Sequence, residues 1–178
     1  MPMSSMSGAA ANAAPRRTSA PRRRADAARR RPRRLAVTVQ YGVPRAGLPA
    51  RASLERWARA ALRQAADVTV RFVGAPEGRA LNRRYRRRDY AANVLTFAYP
   101  DAGRTLEGDI VLCAPVVARE ARDQGKPAAA HFAHLLVHGL LHLQGYEHEE
   151  NREARRMEAL ERRILRELGY SDPYGREE

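Results

Sequence analysis

Residues 127–148 read PAAAHFAHLLVHGLLHLQGYEH. Pro127 suits the first position of a helix and Gly145 suits its end, so the spacing predicts a helix to about Leu143. All five histidines of the chain fall between His131 and His148. His134, His138 and His142 repeat at i, i+4 and i+8 on one helix face, and His131 lies near it. Two histidines at i, i+4 can chelate one metal ion. Three in a row cannot: at roughly 1.5 Å of rise per residue the outer pair stands about 12 Å apart, and zinc–nitrogen bonds span only about 2.0–2.1 Å. The third ligand must come from off the helix. His148 is placed for it, because Gly145 lets the chain turn back. His138, His142 and His148 therefore read as three imidazoles on one metal ion with a position left open. Three protein ligands plus water is the catalytic pattern of zinc, one ion per chain. Nickel and copper take the same donors. His134 reads as a residue supporting the ligands from behind. A peptidase of the H-E-x-x-H type carries Glu directly after the first His. Gly139 stands there instead, which argues against peptide hydrolysis by that route.

The segments around this helix alternate in type. Leu35–Tyr41 alternates as a strand, and Ser53 reads as the cap of a helix carrying Leu54, Trp57, Ala58, Ala61 and Leu62. Asp67–Val73 is a second strand, and Pro76 starts a basic helix ending near Tyr85, whose ring reads as core. Val94–Ala98 and Asp109–Cys113 are two more strands, with Cys113 an inert core thiol. Pro115 opens a helix that stops at Gly125. The last helix runs from about Glu150 to Leu168, with Met157, Leu160, Ile164, Leu165 and Leu168 inward and Glu/Arg pairs outward. The expected fold is α+β: one small domain, a roughly four-stranded sheet packed by about five helices, with the metal site at a cleft.

Composition narrows the function classes. The chain has 178 residues, 44% of them hydrophobic, but 33 of the apolar residues are alanine. That leaves core for one small domain. No run approaches the ~18 apolar residues of a membrane span, so no membrane partner is expected. The single cysteine excludes a disulfide framework and leaves no expectation of a disulfide-linked partner; it is compatible with a reducing cytoplasm, the expected location. The net charge is +13, and all but one of the 33 basic residues are arginine. Such an excess favours polyanions, nucleic acid above all. Residues 1–34 hold ten Arg and one Asp, so +9 of the +13 sits there. The segment is Arg-, Ala- and Pro-rich and too poor in large apolar residues to offset its ordering entropy, so it reads as a disordered extension. It is either an arm for RNA phosphates or a dispensable extension, including one made by a start codon placed too far upstream. Arg16-Arg17 is followed by no apolar stretch, so no export signal is expected. The ordered domain is expected over 35–174, with 175–178 a tail.

A second basic cluster lies inside that domain: Arg83, Arg84, Arg86, Arg87 and Arg88, with Tyr85 and Tyr90 interleaved. It reads as a phosphate-tracking wall whose tyrosines could stack on bases, with Tyr85 rather a core ring, or as a solvated basic face.

The stretch HGLLHLQGYEH, from His138 to His148, resembles the H-G-x-L-H-L-x-G-Y-D-H signature of the YbeY endoribonuclease family. Tyr85 to Phe97, YRRRDYAANVLTF, resembles that family's Y-R-x-K-D-x-x-T-N-V-L-S-F block, and Leu106-Glu-Gly-Asp-Ile110 resembles its L-G-D-I strand. Gly125-Lys-Pro127, the helix around Met157–Glu161 and the closing Leu168–Tyr174 also fit. The resemblance spans roughly 35–174. Glu147 stands for the usual Asp, Ala92 for the usual Thr, Arg88 for Lys and Thr96 for Ser. The resemblance implies a metal-dependent endoribonuclease specific for single-stranded RNA, acting in 3′-end maturation of small-subunit (16S) ribosomal RNA and in ribosome quality control. It also implies that Arg86 is needed for cleavage. The partners it implies are single-stranded and ribosomal RNA and the small ribosomal subunit.

Two other readings stand beside it. One is a metallohydrolase of a peptide or small ester; the other is a non-catalytic ribosome-associated factor whose metal braces the fold. The general acid is open among His134, Glu147 and Asp109.

Overall fold

Alternating apolar residues, Val68, Val70 and Phe72 against Thr69 and Arg71, make residues 66–73 a strand buried on one face. That strand lies at the centre of the sheet. The computed structural model describes residues 34–99, 103–146 and 151–175. Its elements are β1 (Leu35–Tyr41), α1 (Arg51–Ala61), β2 (Ala66–Val73), α2 (Ala75–Arg86), β3 (Val94–Ala98), β4 (Leu106–Cys113), α3 (Ala114–Asp123), α4 (Ala128–Leu143) and α5 (Asn151–Glu167). The strand order is β1-β2-β4-β3. β1 and β4 run parallel to β2, and β3 runs antiparallel to β4 on the edge. This is the expected α+β domain of four strands and five helices.

The larger core joins the sheet to α1, α4 and α5, around Trp57, Phe72, Phe132, Leu136, Leu140 and Leu165. A smaller core on the other face holds Val73, Leu95, Val111, Cys113 and Val116, with Leu81 of α2 and Phe97 against it. α4 is the central helix and touches α1, α3, α5, β3 and β4. Two glycines let it lie so close to the sheet. A Cβ at Gly139 would stand 3.1 Å from both Ile110 Cδ1 and Thr96 Oγ1. A Cβ at Gly108 would stand 2.6 Å from the Phe97 carbonyl oxygen and would also strike Leu143. The Phe97 oxygen is backbone, so Gly108 takes no side chain without a backbone shift, whereas at Gly139 the neighbouring side-chain ends would have to give by a few tenths of an ångström.

Three local expectations are corrected. Ser53 does not cap α1, which begins two residues earlier after Ala50, with no side-chain cap. Pro127 is the N-cap residue of α4 rather than its first helical residue. Tyr85 is not core: its ring is 55% exposed and rests by one edge on Phe97. α2 is so polar that it buries only Gly78 and Asn82, which leaves no apolar stripe for Tyr85 to join. Of the expected extension only Arg34 is described, and of the expected tail only Gly175; the rest of both lies outside the described residues.

Candidate active site

One face of α4 is left half-buried, and it carries His134, His138 and His142. A cleft of about 410 Å³ opens beside it, lined by His138 and His142 of α4, Arg86 at the end of α2, Asn93, Thr96 of β3, and Arg119 and Glu120 of α3. His138 Nε2 and His142 Nε2 stand 3.1 Å apart. Two zinc–nitrogen bonds of about 2.0–2.1 Å can bridge that separation.

His138 is oriented from behind by Glu161 of α5. Its Nδ1 lies 2.7 Å from Glu161 Oε1. The Glu161 side chain is fully buried, yet it accepts from three donors: His138 Nδ1, His134 Nε2 at 3.3 Å, and the Tyr174 hydroxyl. Burial alone would raise the Glu161 pKa; the hydrogen bonds from His134, His138 and Tyr174 outweigh it and hold the carboxyl at about 2. Burial, and then the bond to Glu161, push the Tyr174 phenol far up, so it stays a donor. An ionised carboxylate cannot donate, so His138 Nδ1 must carry the ring proton. In the neutral ring the Nε2 lone pair is then turned toward His142. A histidine whose far nitrogen donates to a carboxylate is the usual arrangement of a metal ligand. The donor set therefore fits a divalent metal. Among the described residues no group of three or more His, Cys, Asp or Glu side chains converges on one metal position. The expected third ligand, His148, lies outside the described residues, as does Glu147.

Arg86 reaches the cleft because α2 ends there. Arg87 takes a left-handed conformation, φ 56°, and its N–H closes the helix onto the Arg83 carbonyl. The loop that follows is tied down at three points. The Asn82 side chain, itself buried, donates to the Tyr90 carbonyl at 2.8 Å. Arg79 forks onto Asp89 at 2.7–2.8 Å. Asn93 donates to Glu120 Oε2 at 3.0 Å. Of the five clustered arginines, Arg86 is the one that lines the cleft; Arg83, Arg84, Arg87 and Arg88 are exposed around it.

Sequence reasoning missed three residues here. Arg119 adds a second guanidinium to the cleft wall. Glu120 puts a carboxylate into it, held by Asn93 and by the buried His131, whose Nε2 lies 2.8 Å from Glu120 Oε2. Glu161 points inward from α5, on a helix whose charges are otherwise expected outward. The other expected acid candidates sit elsewhere: His134 lies against Glu161, and Asp109 accepts from Tyr99 in a neighbouring groove.

The likeness to known proteins falls on these same elements. The family model described as "Endoribonuclease YbeY" matches residues 49–169. The chain belongs to the YbeY endoribonuclease family. Curated relatives named "Endoribonuclease YbeY" include one from Aromatoleum aromaticum, 60% identical over 79% of this chain and 93% of its own. Another, from Stenotrophomonas maltophilia, is 54% identical over 83% of this chain and 98% of its own. A solution structure of TM1509 from Thermotoga maritima covers 79% of this chain and 99% of its own at 24% identity, with a TM-score of 0.45. The YbeY match takes in α1 through α5, and with them every described residue of the cleft.

Proposed function

We propose that this chain is a metal-dependent endoribonuclease that cuts single-stranded RNA, acting in small-subunit ribosomal RNA 3′-end maturation and ribosome quality control in the cytoplasm. The observation that carries this reading is the cleft that holds the facing His138 and His142 imidazoles and the Arg86 guanidinium together. His138, His142 and His148 would hold one zinc ion. Zinc at that place would supply Lewis-acid chemistry and a water of lowered pKa. The chain's own residues supply the rest. Arg86 presents a planar fork suited to bidentate contact with a phosphate, and Arg119 adds positive charge beside it. Both stabilise the negative charge that builds on the phosphate oxygens during cleavage. Glu161 holds the His138 ring in the tautomer a ligand needs.

The peptidase alternative loses ground at Gly139. That position packs against Ile110 and Thr96, so a Glu there would enter the sheet interface rather than the cleft.

The test measures zinc content and cleavage of a single-stranded ribosomal RNA fragment by wild type and Arg86→Glu. Wild type is expected to hold about one zinc and to cut. Arg86→Glu is expected to keep the zinc and the unfolding midpoint but lose cleavage by at least about 100-fold. Wild type that holds zinc but cuts no RNA would move the reading to another substrate or to a metal that braces the fold.

A further inference from the structure

A second groove, of about 570 Å³, lies against the cleft and shares Thr96 with it. It is lined by Arg71, Glu77, Tyr85, Phe97, Tyr99 and Asp109 among others. The consecutive residues Tyr85 and Arg86 divide between the two: Arg86 faces the cleft and Tyr85 the groove. Tyr85 and Tyr99 are 55% and 50% exposed. They are not loose. The Tyr85 ring packs edge-on against Phe97, centroids 4.9 Å apart, and Tyr99 donates to Asp109 at 2.7 Å. The Arg84 guanidinium lies 5.4 Å from the Tyr85 ring centroid.

We infer that this groove is a subsite for one unpaired nucleobase of the bound strand, next to the nucleotide whose phosphate lies at Arg86. The inference rests on the endoribonuclease reading. Fixed, half-exposed aromatic rings are platforms on which any base can stack. Inside the groove Arg71 pairs with Glu77 at 2.8 Å and Asp109 accepts from Tyr99, so its charged groups already have partners, while Arg86 in the cleft and Arg84 beside the Tyr85 ring offer cations to the backbone. Phosphate and base would thus be sorted at Thr96, arginine on one side and tyrosine on the other. A paired base has both faces covered by its neighbours and cannot enter. The groove therefore offers a physical reason for a single-strand requirement.

The test is an abasic scan of cleavage with the full chain. An unstructured RNA with one defined cut site is made with a single base removed at each position in turn. kcat/KM is measured for wild type, Tyr85→Ala, Tyr99→Ala and Tyr99→Phe, with unfolding midpoints alongside. In wild type, one abasic position beside the cut is expected to lower kcat/KM by about five- to 100-fold, the range for losing one base stacked on a ring. On intact RNA, Tyr85→Ala or Tyr99→Ala lowers it by a similar factor, and the abasic position then costs little more. Tyr99→Phe keeps the ring and stays within about two-fold of wild type. A variant that is merely unstable would lose activity equally at every position, without this coupling. If wild type cuts but no abasic position couples to either tyrosine, the subsite is overturned and the nuclease reading stands. If wild type cuts no RNA, both fall. An extended peptide that binds wild type and is lost in Tyr85→Ala would assign the groove to protein on the edge of β3, also overturning it.

Discussion

Glu161 is a buried carboxylate surrounded by three hydrogen-bond donors, two imidazoles and a phenol. An amide of the same shape offers one oxygen and two N–H donors, so in Glu161→Gln at least one of the three faces another donor. That substitution is expected to destabilise the fold by about 1–3 kcal/mol and to weaken zinc binding by about 10–100-fold. Urea unfolding and competition with a zinc chelator measure the two separately. A lost stability with unchanged zinc affinity would confine Glu161 to packing. The signal for Glu161 was present in the sequence: it falls on the stripe of Met157, Ile164, Leu165 and Leu168, where a charge has no outward reason to be. It was hidden because the same helix is rich in solvated Glu/Arg pairs. The histidines were legible because their spacing is local to one helix. Glu120 was not, because Asn93, 27 residues away, and His131, 11 residues away on the next helix, are brought to it only by the fold.

Helices and strands were legible where glycine and proline mark their ends, as at Pro76, Gly125 and Gly145. The strand order was not, because it depends on pairings such as Val70 with Ile110 that are forty residues apart in the chain. The end of α2 matters most for the site, since it aims Arg86 into the cleft. It closes with a non-glycine residue at φ 56°, a conformation that costs an L-residue roughly 1–2 kcal/mol. Arg87→Gly removes that cost and adds some backbone entropy to the unfolded chain. The net expectation is a gain of up to about 1 kcal/mol, read from the urea midpoint, with RNA cleavage retained because Arg87 does not line the cleft. A loss of stability would mean that the Arg87 side chain contributes more to the fold than its backbone strain costs.

The charge of the whole chain is unevenly divided, and the division can be tested. Residues 1–33 carry nine Arg and one Asp, so a chain starting at Arg34 loses eight of the thirteen net positive charges. The cleft, the groove and every element among the described residues lie beyond that point. Neutralising phosphates releases counterions, so the number of contacts appears as the slope of log affinity against log salt, about 0.7 per phosphate for a single strand. If the extension grips RNA, the full chain has the steeper slope, by about 0.7 for each arginine engaged. The two chains then converge in affinity as salt rises, because the interactions within the cleft are common to both. We expect the steeper slope, with kcat at saturating RNA equal in the two chains, since binding that is uniform between ground and transition states lowers KM and leaves kcat alone. Equal slopes would show that the extension's arginines stay with solvent, and that the positive charges met by the strand are those of the domain itself, Arg86 and Arg119 among them.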